Sequence, residues 1–306
     1  MSDPGAFRCA AAALRRGDPL VGSAPPARRW LLLEHPGPWR VDAVAGSGIH
    51  PRVLQALTSA AHRRSARILL VRRPGRVIAP TRRRWFLAGP GGIRSAVWAA
   101  DDDLLAAVAA LDARHDEPDP TEAQSSRPLL LVCAHGIHDT CCALRGRPVA
   151  AALTEYWPDA VWECSHVGGD RFAPNVVVLP GGYYYGQLDP ETAVSVLRSH
   201  LAGTVPTRWL RGMSTEPPPV QAAVVGAYGR FGPLAPGEVT VLEARRDGPD
   251  GHHGSTVVVD LAVRGQAIGE SAHVLAVRRP EAQLTCRAER ETPATEYQVR
   301  WAGVTT

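Results

Sequence analysis

The stretch Leu129-Leu130-Leu131-Val132-Cys133-Ala134-His135-Gly136-Ile137-His138-Asp139-Thr140-Cys141-Cys142 decides the architecture. Its first residues form an unbroken apolar run ended by a cysteine, which suits a strand buried on both faces. A polar loop, Ala134 to Cys141, separates Cys133 from Cys142. Beyond it Val149, Leu153, Tyr156 and Trp157 recur at helical spacing. Working outward, strands are expected from Val161 to about Ser165, from Asn175 to Leu179 and through Tyr183-Tyr184-Tyr185. Asp189 before Pro190 then opens a helix whose Val194, Leu197 and Leu201 face inward.

The first helix crosses between parallel strands, whereas the short later loops make an antiparallel hairpin; this mixture is the thioredoxin-like pattern. The N-terminal segment echoes it. Trp30 to Glu34, a helix from His50 to Arg64, Ile68 to Val71, Trp85 to Leu87, Ala96 to Trp98 and a helix from Asp103 to Leu111 follow the same order. An internal duplication is therefore expected, with Leu31-Leu32-Leu33-Glu34 standing where Leu130-Leu131-Val132-Cys133 stands. The first copy then lacks the cysteine. A polar, Pro-rich stretch from Arg114 to Pro128 reads as a linker, and Glu216-Pro217-Pro218-Pro219 marks a second break before a short helix around Val220 to Tyr228. The runs Val239–Leu242, Thr256–Val263, His273–Val277 and Tyr297–Trp301 predict a C-terminal antiparallel β meander. The expected class is thus α/β, with an N-terminal unit over 1–118, a thioredoxin-like domain over 127–212 and a helix plus meander over 213–306.

All 34 basic residues are arginine, so no lysine is present for a Schiff base or a P-loop. No apolar stretch approaches the ~18 residues of a membrane span, and no leader combines a basic start with a long apolar run; the expected compartment is the cytoplasm, with no membrane partner. From His62 to Arg84 there are nine arginines and no acid. A docking patch for an acidic partner or nucleic acid is one reading of this run, and a solvated strand face is the preferred one. His252-His253 in a turn reads as solvated rather than as a metal pair.

Four of the six cysteines lie between Cys133 and Cys164, a clustering that in a reducing compartment points to metal or redox chemistry. Thiolates suit iron-sulfur clusters and zinc because sulfur is soft. The second half of the site is expected from Cys164-Ser165-His166-Val167-Gly168-Gly169-Asp170, where two glycines let the backbone turn closely round something. With Cys133 and Cys142, the pair His166 and Asp170 resembles the ligand spacing of thioredoxin-like 2Fe-2S ferredoxins. More specifically, the chain resembles the sucrase/ferredoxin-like family, in which two cysteines separated by eight residues precede a His-x-Gly-Gly-His pair. The resemblance includes Cys133 to Cys142, His166-Val167-Gly168-Gly169, Asp170-Arg171-Phe172-Ala173-Pro174-Asn175, Leu179-Pro180-Gly181-Gly182-Tyr183-Tyr184-Tyr185-Gly186 and, upstream, Arg28 to Trp39. It implies a 2Fe-2S cofactor on Cys133, Cys142, His166 and Asp170, and an electron carrier serving an unidentified redox partner protein rather than a hydrolase.

Asp170 departs from that pattern, since a carboxylate is a harder ligand than the imidazole the family places there. His135, His138, Cys141 and Cys164 are its competitors for the fourth position. Zinc holding an interaction module is the alternative to iron-sulfur, because the same donors suit structural zinc. Thiol-disulfide exchange at Cys141-Cys142 ranks third, since Cys-x-x-Cys is missing. Sucrose hydrolysis would need two carboxylates across a cleft, and nothing in the spacing supplies them. Cys9 and Cys286 read as inert thiols, and His35 and His135 as turn residues satisfying backbone groups.

Overall fold

The computed structural model describes residues 7–75, 81–113, 123–125, 127–247 and 256–303. In chain order the elements are α1 (Cys9–Arg16), β1 (Arg29–Glu34), α2 (Pro51–Arg63), β2 (Ala66–Arg72), β3 (Arg83–Gly89), β4 (Gly92–Trp98), α3 (Leu105–Asp112) and β5 (Ala123–Ser125). There follow β6 (Leu129–Cys133), α4 (Thr140–Tyr156), β7 (Val161–Cys164), β8 (Val176–Leu179), β9 (Tyr183–Tyr185) and α5 (Pro190–Leu201). The chain ends in β10 (Leu210–Met213), α6 (Pro218–Phe231), β11 (Val239–Asp247), β12 (Thr256–Val263), β13 (Gln266–Ala282) and β14 (Thr292–Gly303). His252-His253 and most of the expected Arg114–Pro128 linker lie outside the described residues, although β5 and Arg127 to Pro128 are within them.

The chain divides into two compact units. One comprises residues 27–167 and 174–182, the other residues 1–26, 168–173 and 183–306. The first holds β1 to β8 in a mixed sheet ordered β8-β6-β7-β2-β1-β3-β4-β5. In it β1 runs parallel to β2 and antiparallel to β3. Likewise β6 runs parallel to β7 and antiparallel to β8. The two runs therefore share strand order and sense, and they meet where β2 and β7 pair antiparallel.

Burial follows from the strand period of two. Leu31 and Leu33 of β1 and Trp85 and Leu87 of β3 point to one face, where Val53, Leu57, Ala60 and Ala61 of α2 and Leu111 of α3 cover them. Those α2 positions fall at i, i+4, i+7 and i+8, the stripe of an amphipathic helix. Each fully buried Leu or Val there contributes about 1.5–3 kcal/mol.

At the β2–β7 seam Arg72 donates to Glu163 at 2.8 Å. The guanidinium also lies 4.4 Å from the Trp39 ring. Arg72→Ala strands a buried carboxylate, and its expected cost in urea unfolding is about 2–3 kcal/mol, below the roughly 3–5 kcal/mol of a fully buried pair because the Arg72 side chain keeps 17% exposure.

The other unit contains the antiparallel pair β9–β10 and the meander β11-β12-β13-β14. α6 is buried nearly all round, Val220 to Val225, Ala227 and Tyr228 all being enclosed. Gln221, fully buried in α6, donates to the carbonyls of Ala24 and Glu216. The Asp189 cap expected at α5 is present, its carboxylate accepting the Thr192 N–H at 2.8 Å. No helix among the described residues is long and apolar enough to cross a membrane.

Candidate metal centre

Three side chains of the first unit converge. Sγ of Cys133, Sγ of Cys142 and a ring nitrogen of His166 lie within 4.8 Å of one another. Both thiols are buried, and the imidazole is half-buried.

Their positions come from three elements. Cys133 ends β6, whose burial on both faces leaves its last side chain at the sheet's rim. Cys142 does not lie at the close of a loop, as its polar approach suggests; it sits in the first turn of α4, which begins at Thr140. Asp139 caps that helix, accepting the N–H of Cys141 at 2.9 Å. The N-terminal end of α4 carries partial positive charge, which favours a thiolate there. Asp139→Ala is expected to cost about 1 kcal/mol in denaturant unfolding, the usual value of a lost cap.

His166 follows β7. Arg67 of β2 holds the backbone there, donating to the carbonyls of His166 at 3.0 Å and Val167 at 2.9 Å. The Cys133 thiol is held well below the ordinary thiol range, first by its side-chain hydrogen bond with Cys142, against the opposing effect of burial, and next by His166. Cys164 stands beside Cys133 in the β6–β7 register, yet burial, and after it the nearby charge on Cys133, push its thiol well above that range. Its sulfur is not in the Cys133, Cys142 and His166 group.

The histidines divide by their hydrogen bonds. His135 is fully committed: Nε2 is 2.8 Å from the Arg40 carbonyl, and Nδ1 accepts the N–H of His166 at 3.3 Å. Burial lowers its proton affinity, in keeping with a neutral ring that donates at one nitrogen and accepts at the other. His35 likewise reaches the Ser47 carbonyl at 2.9 Å. The turn-satisfying role expected for these two residues is what the bonds describe. His138 stacks on His166 with ring centroids 3.8 Å apart, and its Nδ1 is 3.2 Å from the Val41 carbonyl. A cleft of about 320 Å³ opens on this side, walled by His138, His166, Arg67 and the 41–44 segment. The two thiols are buried, whereas the half-buried rings of His138 and His166 border this cleft.

Asp170 belongs to the second unit, where it is buried at the start of a 3-10 turn, Asp170–Phe172. The glycines before it do turn closely round a group, and within that unit the group is a side chain. Gly168 and Gly169 adopt φ of 89° and 78°. A Cβ at Gly169 would collide with the guanidinium of Arg211, which is fully buried and donates to the Gly168 carbonyl at 2.9 Å. Sequence reasoning did not single out Arg211; the glycine pair was the available signal. Cys141 is the helical neighbour of Cys142, about 100° round the axis. It is not in the Cys133, Cys142 and His166 group.

A family model described as sucrase/ferredoxin-like matches residues 20–212. Among solved structures, a cysteine-to-serine variant of the thioredoxin-like [2Fe-2S] ferredoxin from Aquifex aeolicus is similar at 24% identity, covering 28% of this chain and 97% of that one, with a TM-score of 0.25. No curated protein matches.

Proposed function

Because the chain belongs to the sucrase/ferredoxin-like family, we propose that Cys133, Cys142 and His166 hold a 2Fe-2S centre through which the protein passes single electrons to a redox partner. The observation that carries this reading is the convergence of two buried sulfurs and one imidazole within 4.8 Å. The donor set fits the group: soft sulfur and imidazole are the ligands of such clusters, and Cys133 is already biased to the thiolate that binds iron. When bound, a 2Fe-2S cluster accepts and returns one electron. Burial of Cys133 and Cys142 excludes water from the sulfurs, and the half-buried His166 provides the outlet, binding through one ring nitrogen and exchanging a proton at the other.

Two residues compete for the fourth position: His138, stacked on His166, and Asp170, four residues beyond it in the chain. A second reading has one specific support. Three donors this close together suit a single tetrahedral zinc ion, which would staple β6, α4 and the segment after β7 without redox chemistry.

Anaerobic purification followed by iron, sulfide and zinc analysis, with EPR of the dithionite-reduced protein, separates the two. A brown protein bleached by dithionite, with iron and sulfide in equal amounts, is expected; a colourless protein with one zinc per chain removes the electron-transfer reading. In that background, whichever of His138→Ala and Asp170→Asn alters the EPR signal identifies the fourth ligand. A potential that falls as pH rises is expected if His166 titrates, and a flat one counts against it.

A further inference from the structure

The mixed sheet of the first unit has a second face. Trp85 and Leu87 point toward α2 and α3, so Arg84 and Phe86 point the other way, and the edge contact of Phe86 with Trp162 at 5.3 Å places β7's Trp162 on that same side. There the sheet bears a cleft of about 760 Å³. This volume lies within the roughly 300–1,000 Å³ of small-molecule sites.

Four arginines line it: Arg73, Arg82, Arg84 and Arg127. Arg73 is fixed, stacked 3.8 Å from the Trp162 ring centre and donating to the carbonyls of Pro158, Asp159 and Val161. Arg82 and Arg84 are exposed, and no described residue pairs with their guanidiniums. Two acids share the wall. Glu34 is buried and occupied by the Arg84 N–H at 2.8 Å, and Asp159 is on the exposed rim. The apolar part of the lining includes Val97, which is exposed, and Phe86, which is buried against Trp162. Trp162, part of the same wall, has a buried indole N–H without an acceptor among the described residues.

Guanidiniums bind phosphate oxygens in a fork, and flat rings seat on apolar strips. We propose that this cleft is a binding site for a ring-bearing organic phosphate of the nucleotide class, with Arg82 and Arg84 taking the phosphates and the Phe86–Val97 strip the ring. The site is independent of the metal centre, since it lies at the Leu129 end of β6 and the cysteine ligand lies at the other.

The test is calorimetric titration of the full-length, centre-loaded protein with ADP, UDP, inorganic pyrophosphate and adenosine. The expected result is saturable binding of ADP or UDP that exceeds both pyrophosphate and adenosine by at least tenfold and weakens at least tenfold in the R82E/R84E variant. Both substituted side chains are exposed, and unchanged near-ultraviolet circular dichroism verifies the fold. Absence of nucleotide binding at millimolar concentration overturns the proposal. So does equal binding of pyrophosphate and ADP, which would mean plain charge attraction, or nucleotide binding untouched by the double substitution, which would place the site elsewhere.

Discussion

Cys133→Ser is expected to leave a folded protein that retains less than about a tenth of the parent's bound metal, because even outer partners of metal ligands cost about 10–100-fold in affinity when removed and a ligand costs at least as much. The hydroxyl is harder than the thiolate and is not ionised near neutral pH. It also ends the hydrogen bonding through which Cys142 and His166 favour the anion at this position. Metal analysis of protein prepared without oxygen reads the outcome. The control is Cys164→Ser, beside Cys133 on the adjoining strand. Its sulfur lies outside the Cys133, Cys142 and His166 group, and its loss is expected to leave metal content unchanged. Equal metal loss in both variants would mean that the strand pair, not the Cys133 sulfur, is what the centre needs.

Gly146→Ala is expected to lower both stability and metal retention, although alanine is the better helix former. Gly146 lies in α4, one turn beyond Cys142, and a Cβ there would overlap the carbonyl oxygen of Cys133. The obstacle is backbone, so the helix must move away from the strand end. Overpacking of this kind costs about 1–3 kcal/mol, and the helical preference for alanine over glycine returns at most about 1 kcal/mol. The expected net loss is on the order of 1–2 kcal/mol in urea unfolding, accompanied by weaker metal retention because Cys142 moves with its helix. A stabilised variant with full metal content would show that α4 does not rest on the Cys133 carbonyl.

These two residues mark what was readable along the chain. Cys133 could be found because it ends an apolar run, and a buried strand announces itself in that way. α2 lies within the helix expected from His50 to Arg64, and the Asp189 cap located α5, although of its three expected inward residues only Leu197 is buried and Leu201 is exposed. The early start of α4 was not. Asp139 is as good a cap as Asp189, but Gly146 and Pro148 inside the helix weaken the local preference, so the polar approach read as loop. β10 was missed because Arg211 and Gly212 interrupt its apolar pattern, and burial of that arginine depends on carbonyls supplied by Ser23 and Gly168.

Periodicity along the chain therefore specified most strands, most helices and the meander, because apolar burial needs only a face and a face is written in local spacing, whereas the sulfur and imidazole donors were legible from residue type, spacing and the family resemblance. The roles of polar groups were assigned by folding. His135 is excluded as a free donor by the Arg40 carbonyl 95 residues away, and the backbone at His166 is held by Arg67 from 99 residues away. A buried polar atom must find a partner with the right geometry, and that partner comes from wherever the fold brings the chain, which no local pattern encodes.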